Sequence, residues 1–526
     1  MMRKFHLTAK NYRCFEDTNP LRLTIQDGFI ALVGPNNSGK SSCLKMLYEF
    51  REVWNNLQSI HTLHEINQNN STRTFSYVGV FDEDEVFCDS NNRDLYLEID
   101  LEMSFYDDEN KLSKIELLCN RKTWKANFYF GQEKKMLSKT KIAISGNHGL
   151  LDRSINKTVD CSDFINLFSD LNSCIYIGPF RNAISQGAGQ YFDLSIGTQF
   201  IDQWNSWKTG ASKKENLLIE RITEDIRNIF EFKSLEINSS PQLKTLQFII
   251  DKKPYKLSEL GAGISQFVIV LGNIAIREPA YLLIDEPELN LHPSLQLDFL
   301  TTIASYVKNS VVFATHSIGL ARSSGDLLYS FTRNLGVTKV KELENHSSYG
   351  EYLGEMSFSS YREMGFDSIL CVEGVKDIKV IQQFLRKLKK DHKVVILPLG
   401  GDQLAVGDRE HELSELNRLS DKIFVLVDSE RENEDERMAA KRKDFIGSCE
   451  KLGFEYCVTE LRAIENYFSE NAIKSIMGSD YAALAPYEKL SECAKPWGKT
   501  DNWKIARAME LSEIEETDIG KFLKSI

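Results

Sequence analysis

The chain has 526 residues, of which 42% are hydrophobic and 27% charged, a composition that can build large cores in two or three domains. Its net charge of −12 argues against a protein coated in basic surface, although a local basic groove could hold nucleic acid. The ten cysteines form no C-x-x-C pair, which argues against a zinc site or disulfide framework. Since residues 1–11 lack a signal-peptide core and the most apolar stretch, 267–276, is too short to span a bilayer, we expect a cytoplasmic protein without a membrane partner.

The first motif along the chain is a phosphate-binding loop. A short apolar strand is predicted at 29–33, and residues 34–41 match G-x-x-x-x-G-K-[ST], which opens a helix predicted over 40–50. Glycines let the loop backbone curl around phosphate oxygens, Lys40 neutralises the β- and γ-phosphates, and Ser41 offers a hydroxyl to Mg²⁺. The predicted ATP-binding residues are Asn36, Asn37, Ser38, Gly39, Lys40, Ser41 and Ser42.

Strand-like runs without a chemical motif follow, among them 95–105, and then an amphipathic helix. Ser212 and Glu215 have the spacing of a capping box. One face of the helix is apolar, at Leu218, Ile222, Ile226 and Ile229. Two interpretations remain open: a helix packed on its own domain, or a partner helix in a dimer interface. A turn is predicted at 239–241, between two strands.

Two acidic residues and a histidine follow two apolar strands, predicted at 281–284 and 311–314. Asp285 is predicted to hold Mg²⁺, directly or through water, and Glu286 to orient the attacking water. His316, at the end of the second strand, is expected to contact the γ-phosphate. Ahead of these strands, Gly261 and Gly263 leave the backbone bare at a helix N-terminus, where a second anion contact is expected.

The order of these segments resembles the ABC-type ATPase heads of the SMC-like class, over about residues 1–345. The run 285–293 is specific to that class. The resemblance implies a head that sandwiches two ATP molecules between two protomers, so at least a homodimer is expected. The signature segment of one protomer would cap the phosphates of the other. The signature serine is replaced around Gly261 and Ala262, unless Ser265 takes its role.

After a break near 357–361, strands alternating with a helix indicate a parallel sheet. Strands are predicted at 368–372, 394–397 and 423–427, and a helix at 375–388. Glu373 and Asp428 follow the first and third strands, and Gly400 and Gly401 follow the second, so all lie at the carboxyl edge of the sheet. Asp428 and Glu430 face the same side if the chain stays extended, and converging carboxylates indicate a divalent metal. The alternative for Glu430 is a solvated acid within the charged run 428–437.

This arrangement resembles a TOPRIM domain over roughly residues 363–526. The Glu-Gly of that family matches Glu373 and the residue after it, and Asp377 matches the acid of its Glu-Gly-x-x-Asp version. Its Asp-x-Asp is present as Asp428 and Glu430, a replacement that keeps the charge. The resemblance implies Mg²⁺ or Mn²⁺ bound by Glu373, Asp377, Asp428 and Glu430.

Two further segments extend the TOPRIM resemblance. The run 462–468 resembles the Glu-Asn-Tyr element of defence-type TOPRIM nucleases. Lys504 resembles the lysine that these nucleases use near the scissile phosphate.

An ABC-type head followed by TOPRIM is the architecture of the OLD (overcoming lysogenization defect) family, which includes the Gabija nuclease and PARIS-type defence proteins. The fold expected is therefore α/β: a P-loop ATPase head over 1–350 with an inserted helical dimerisation segment at about 198–232, then a Rossmann-like TOPRIM domain over 351–526. The resemblance implies a prokaryotic, ATP-controlled, metal-dependent endonuclease, with DNA the favoured substrate, in anti-phage defence. A dimer or higher even oligomer, and a defence-system partner protein, are further expectations.

Two other functions stay open at this stage. The first is an ATPase sensor or scaffold whose TOPRIM domain is inactive, or acts on RNA such as transfer RNA only when activated. The second is a topoisomerase-like or primase-like activity, for which the sequence has neither a nucleophilic tyrosine domain nor a nucleotidyl-transfer pocket.

Overall fold

A computed structural model describes residues 4–103, 109–179, 188–240, 242–334, 337–343, 368–391, 394–399, 413, 416, 422–434, 436 and 439–526. The chain forms two compact units. The first comprises Met1–Ser317 and Leu327–Glu342, and the second Ile318–Asp326 and Leu343–Ile526. In the part of the chain described, no helix is both long enough and apolar enough to cross a membrane.

The strands are β1 Phe5–Lys10, β2 Leu21–Ile25, β3 Gly28–Val33, β4 Leu95–Leu101, β5 Leu112–Cys119, β6 Trp124–Phe130, β7 Lys135–Met136, β8 Ile142–Ser145, β9 Gly149–Asp152, β10 Lys157–Asp160, β11 Ile175–Ile177, β12 Ala188–Tyr191, β13 Leu194–Ile196, β14 Leu235–Ser240, β15 Thr245–Ile250, β16 Lys253–Lys256, β17 Tyr281–Asp285, β18 Ser310–Thr315, β19 Leu327–Asn334, β20 Val337–Leu343, β21 Ser368–Val372, β22 Val394–Pro398, β23 Ile423–Val427 and β24 Glu455–Val458.

The helices are α1 Lys40–Glu49, α2 Arg51–Leu57, α3 Ile60–Ile66, α4 Ser162–Asn172, α5 Gly197–Thr209, α6 Lys213–Ile229, α7 Ala262–Arg277, α8 Pro293–Ala304, α9 Ile318–Ser324, α10 Val375–Lys387, α11 Ala440–Leu452, α12 Glu470–Met477, α13 Asn502–Ala508, α14 Leu511–Glu515 and α15 Asp518–Ser525.

The central sheet of the first unit has the strand order β11-β17-β18-β3-β19-β20. Its neighbours from β11 to β19 pair in parallel. β17 and β18 are buried along their whole length, as the uninterrupted apolar runs of a doubly covered parallel sheet require. Because parallel strands end at one edge, the residues after β3, β17 and β18 come together there.

Antiparallel sheets complete the first unit. The largest has the order β2-β1-β4-β5-β6-β7, and β1 alternates buried and more exposed residues, the pattern of a sheet with one covered face. Smaller sheets contain β8–β10, β12–β13 and β14–β16. The strand predicted at 95–105 ends at Leu101. Ser239 and Ser240, predicted in a turn, pair within β14–β15, and Pro241 lies outside the described residues.

Most of the apolar stripe of α6 is buried inside the first unit, and its first residue, Leu218, is half-buried. Ser212 caps this helix as predicted, accepting a hydrogen bond from the Glu215 N–H at 3.4 Å. Ile222 and Ile226 are fully buried, on a helix that contacts α5 and α7. The interpretation of this stripe as a dimer interface is therefore wrong, because packing within the chain already covers it. Any role of the wider segment 198–232 in dimerisation stays a prediction.

The second unit contains a parallel sheet of order β22-β21-β23-β24. β21 and β23 match their predicted bounds and are fully buried. The predicted break at 357–361, the boundary between 350 and 351, Gly400 and Gly401 fall outside the described residues, as does part of the run 428–437.

Candidate functional site

The phosphate loop connects β3 to α1 at the carboxyl edge of the central sheet. Gly39 has a φ of 102°, which side chains rarely adopt. A Cβ atom on Gly34 would lie 2.2 Å from the carbonyl oxygen of Phe331. Both glycines are therefore required by the shape of the loop and its surroundings, in addition to the phosphate they are expected to approach.

Lys40, the first residue of α1, is buried beside the phosphate loop. Its Nζ donates hydrogen bonds to the carbonyl oxygens of Gly34, at 2.7 Å, and Pro35, at 2.9 Å. Burial lowers the pKa of Lys40, and the nearby carboxylates, Asp285 first among them, oppose this shift. The ammonium group is thus held at the centre of the loop.

Asp285 ends β17 and faces the start of α1. Burial raises its pKa, while a hydrogen bond with the Ser41 side chain opposes the rise. The structure therefore brings the two predicted ATP-site Mg²⁺ ligands, Ser41 and Asp285, into contact.

Glu286 and His316 meet beside these residues. The Oε1 atom of Glu286 lies 3.3 Å from Nε2 of His316. The Glu286 N–H donates to the Ala314 carbonyl at 2.8 Å. Glu288, which was not among the predicted site residues, accepts from the His316 N–H at 3.0 Å and from the Thr315 hydroxyl at 2.7 Å. It thereby fixes the strand end that carries the histidine.

These groups line a cavity of about 540 Å³, within the range of small-molecule sites. The P-loop, Asp285, Glu286 and His316 form part of its wall, and Arg13, Cys14 and Phe87 are also among its lining residues. The sequence alone does not single out Arg13, because an isolated arginine matches no nucleotide-binding motif.

The residues present fit a Mg²⁺–nucleotide. The hydroxyl oxygen of Ser38 is buried and has no hydrogen-bond partner among the described residues, so it is available to a phosphate oxygen. Lys40 supplies positive charge, and Ser41 and Asp285 are oxygen donors of the kind that Mg²⁺ takes.

Ser265, the candidate for the signature serine, does not lie exposed at the start of its helix. This residue is buried, and its hydroxyl lies 3.5 Å from the carbonyl oxygen of Gly261. Its hydroxyl is thus directed within its own helix. Gly261 and Ala262, at the start of α7, are exposed.

In the second unit, Glu373 and Asp428 directly follow the neighbouring strands β21 and β23. The Asp428 N–H donates to Oε2 of Glu373 at 3.2 Å, and Oδ1 of Asp428 accepts from the Ile464 N–H at 3.1 Å. Asp377, in the first turn of α10, accepts from the Gly374 N–H at 2.9 Å. The strand ends thus bring Glu373 and Asp428 together, as the sequence predicted.

The pKa shifts of Asp377 and Asp428 indicate that Asp377 lies near Glu373 and Asp428. Burial raises the pKa of Asp377, and the charges of Glu465 and Glu373 add to this. Burial is also the largest cause that raises the pKa of Asp428. The neighbouring negative charges raise it further; they are those of Asp377, Glu373, Glu465 and Glu430. Glu465 therefore belongs to this acidic cluster, although the sequence suggested it only as part of a Glu-Asn-Tyr run.

Glu430 is oriented differently from the prediction. β23 ends at Val427, and Glu430 has a φ of 55°, so the chain is no longer extended and the rule that alternate residues share a face does not apply. Its carboxylate bonds to Arg462 at 2.7 Å and is 52% exposed. The premise of an extended chain through Glu430 is therefore wrong, and its role as a metal ligand beside Asp428 stays a prediction.

Arginine also holds Glu373, whose carboxylate lies 3.1 Å from Arg442. Among the described residues, no three His, Cys, Asp or Glu side chains are grouped so as to hold one metal ion. Carboxylate oxygens remain the donor type that Mg²⁺ and Mn²⁺ take. Glu373, Asp377 and Asp428 thus have the donor type that suits such an ion, but in this arrangement they are not grouped around one metal position, and Glu373 is paired with Arg442.

Two lysines lie on the C-terminal segment of this unit. The predicted Lys504 bonds to Asp501 at 2.9 Å. Lys499, which the sequence did not single out, bonds to Glu465 at 2.7 Å. Since Glu465 is part of the acidic cluster, Lys499 is the lysine bonded directly to that cluster.

Comparison with known proteins gives three results. No curated protein matches the chain. Solved structures that resemble it include the SMC head domain from Thermotoga maritima, with 15% identity, 65% of this chain and 99% of that chain covered, and a TM-score of 0.32. An SMC head bound to the C-winged helix domain of ScpA has 15% identity, coverage of 65% and 97%, and a TM-score of 0.34. An SMC head with an extended coiled coil, bound to the C-terminal domain of ScpA derived from Pyrococcus furiosus, has 12% identity, coverage of 68% and 99%, and a TM-score of 0.34.

One protein-family model matches more than half of the chain, and the matched part includes most of the residues that line the nucleotide cavity. A family model described as AAA ATPase domain matches residues 2–174 and 191–321. The matched part contains the P-loop, Asp285, Glu286 and His316. The chain therefore belongs to the AAA ATPase domain family.

Proposed function

We propose that this protein is an ATP-controlled, divalent-metal-dependent endonuclease of the OLD type, acting on nucleic acid, with DNA favoured, in prokaryotic anti-phage defence. The observation that carries the proposal is the pairing of Glu373 with Asp428 at the ends of adjacent parallel strands. These residues lie in a unit separate from the one that contains the P-loop. One chain thus combines a nucleotide site with an acidic strand edge that resembles the TOPRIM pattern.

In the first unit, each residue has a distinct part in ATP hydrolysis. Lys40 binds the β- and γ-phosphates, and Ser41 and Asp285 hold Mg²⁺, which supplies charge neutralisation when bound. Glu286 orients the attacking water, and His316, 3.3 Å from it, holds that carboxylate and contacts the γ-phosphate. The fixed position of both side chains at strand ends supports these roles.

In the second unit, Glu373, Asp377, Asp428 and Glu430 are the residues that would hold Mg²⁺ or Mn²⁺, and the ion would supply an activated water and stabilise the leaving oxygen. For Glu430 this role requires release from Arg462. Lys504 stabilises charge on the transferring phosphate. Lys499 competes for that role because it already contacts the acidic cluster through Glu465.

The route of the chain supports control by ATP. His316 is followed within two residues by Ile318, where the chain enters the second unit, and it returns to the first unit at Leu327. Within the second unit, Asp326 pairs with Lys379 of α10 at 3.2 Å, and both side chains are buried. The segment between two strands of the ATPase sheet is thereby fixed to the helix that follows Glu373.

The proposed organisation follows the resemblance described above: an ATPase domain over 1–350, with a helical segment at 198–232 that takes part in dimerisation, and a TOPRIM domain over 351–526. The protein assembles as a homodimer or higher even oligomer in the prokaryotic cytoplasm. A partner protein of the defence system is part of the proposal.

A second candidate function is an ATPase sensor or scaffold whose TOPRIM edge is inactive, or acts on RNA only after activation. The arginine pairs favour it. Arg442 holds Glu373 and Arg462 holds Glu430, so two of the four expected metal ligands already have cationic partners.

The test is incubation of the purified protein with plasmid DNA and, separately, with total RNA. Each substrate is combined with Mg²⁺ or Mn²⁺, with and without ATP, and with EDTA as control. The nuclease proposal predicts cleavage that requires the metal and changes with ATP. ATP hydrolysis without cleavage of either substrate would contradict it and favour the sensor.

A further inference from the structure

Strands β19 and β20, the last two at one side of the central sheet, contact the phosphate loop along most of its length. We propose that Thr338 and Arg333, on these strands, are positioning residues that hold the loop backbone in its nucleotide-binding shape. The inference rests on the proposed ATP site. Both residues lie beyond the segments matched by the AAA ATPase domain model, which end at residue 321.

Thr338 contacts the C-terminal half of the loop. Its side chain is fully buried, and its hydroxyl donates to the carbonyl oxygen of Ser38 at 3.1 Å. Its Oγ1 and Cγ2 atoms would each lie 3.2 Å from a Cβ atom on Gly39. The threonine therefore packs against the glycine that precedes Lys40.

Arg333 contacts the middle of the loop. Its Nη1 donates to the backbone carbonyl of Asn37 at 3.2 Å and to Oδ1 of the same residue at 2.9 Å. Asn37 has a φ of 61°, a left-handed conformation that few residues other than glycine adopt and that asparagine tolerates better than most. Two hydrogen bonds from one guanidinium hold both the backbone and the side chain of Asn37 in that conformation.

The start of the loop is fixed by the same strand. β19 pairs in parallel with β3, with Ser330 opposite Val33. The Phe331 carbonyl follows and closes the space above Gly34. Contacts from this pair of strands thus reach Gly34, Asn37, Ser38 and Gly39.

These contacts determine which backbone groups remain for the nucleotide. The carbonyl oxygens of Asn37 and Ser38 are bonded to Arg333 and Thr338, and those of Gly34 and Pro35 to Lys40. With these carbonyls bonded within the protein, the loop is preorganised to offer its N–H groups to a phosphate. Thr338 and Arg333 thus act on binding and leave the chemical step to Glu286 and His316.

The test compares substitutions that remove each donor while keeping side-chain size. For Thr338→Val, which removes one buried hydrogen bond, and for Arg333→Met, which removes two exposed ones, we expect roughly three- to thirtyfold weaker binding of ATP with Mg²⁺. KM for ATP should rise in proportion, while kcat changes less than about twofold, as for groups that bind ground state and transition state equally. Thr338→Ser keeps the hydroxyl and should retain most of the affinity.

Lys339→Met is the matched control, since it is exposed on β20 next to Thr338. The inference is overturned if Thr338→Val and Arg333→Met bind ATP as tightly as Lys339→Met by calorimetry, or if Thr338→Ser is as weak as Thr338→Val. Should Thr338→Val lose its fold in a thermal melt, the exposed Arg333→Met decides alone. Failure of the wild-type protein to bind ATP would instead contradict the proposed ATP site.

Discussion

The acidic residues that follow the strand-end aspartates have unusual backbone conformations. Glu286, directly after Asp285, has a φ of 52°, and Glu430, two residues after Asp428, has a φ of 55°. Left-handed conformations cost of order 1–3 kcal/mol for such residues and concentrate at functional sites. At Glu286 this backbone turn accompanies the contact with His316. At Glu430 it accompanies the ion pair with Arg462.

The first prediction concerns Glu286. In Glu286→Gln, ATP binding should be retained because Lys40 and Ser41 are unchanged, whereas kcat for hydrolysis should fall about 10²- to 10⁴-fold because the amide is a poor base. Phosphate release under saturating ATP measures kcat, and calorimetry measures binding. Lys40→Ala should instead abolish binding.

The control is Glu16→Gln, which removes a carboxylate from another part of the cavity wall. It should hydrolyse ATP at nearly the wild-type rate. Hydrolysis at the wild-type rate in Glu286→Gln would remove that residue from the proposed role.

The apolar stripe of helix α6 shows what such a pattern can predict about packing and what it cannot. Periodicity identifies which face is apolar but not whether the covering surface belongs to the same chain. Here α5 and α7 cover it, and the same helix also exposes Leu217, at 67%. Residues that one interpretation placed in a dimer interface therefore pack in the core of the first unit.

The second prediction follows from this packing. Ile222→Asp places an unpaired charge in a fully buried position and should lower the free energy of unfolding by about 3 kcal/mol or more. Leu217→Asp, on the same helix but exposed, should change it by less than about 0.5 kcal/mol. Urea denaturation of both variants measures the difference. Equal stability of the two variants would show that Ile222 is not in a packed core.

At the scale of the whole molecule, the two units carry separate chemical groups on one chain. The P-loop and its acids lie in the first unit, and the acidic cluster around Asp428 lies in the second. The chain passes between the units at Ser317–Ile318, Asp326–Leu327 and Glu342–Leu343. Substitutions in one unit should therefore impair its own activity first and the other only through coupling.

The third prediction uses this separation. Glu373→Ala should lower metal-dependent cleavage of nucleic acid by orders of magnitude while leaving ATP hydrolysis nearly intact. Lys40→Ala should have the converse primary defect. Lys504→Ala should reduce cleavage without loss of metal binding if it stabilises charge on the phosphate. Parallel nuclease and phosphate-release assays measure the effects.

Glu470→Ala serves as control, because it removes an exposed carboxylate of the second unit, paired only with Lys474 among the contacts observed. Its cleavage and hydrolysis should match wild type. Cleavage by Glu373→Ala at the wild-type rate, without inhibition by EDTA, would exclude the metal-dependent nuclease site proposed around Glu373.

The sequence by itself determined the local features of this protein. The strand before Gly34, the helix from Lys40 and strands β21 and β23 all lie where the pattern of residues predicted them, because each depends on neighbours within a few positions. It also placed Glu373 and Asp428 at one edge, since parallel strands end together. The match to the AAA ATPase domain family likewise rests on the linear order of these segments.

Only the tertiary structure decided which distant groups meet these residues. Thr338 bonds to Ser38 across 300 positions of the chain, and no local periodicity specifies such a contact. The same holds for Glu465 beside Asp377 and for Lys499, whose positions depend on how the chain returns to the sheet. Glu430 turned toward Arg462 because the strand ended before it. Local patterns fix backbone conformation, whereas the environment of a side chain depends on the packing of the whole unit.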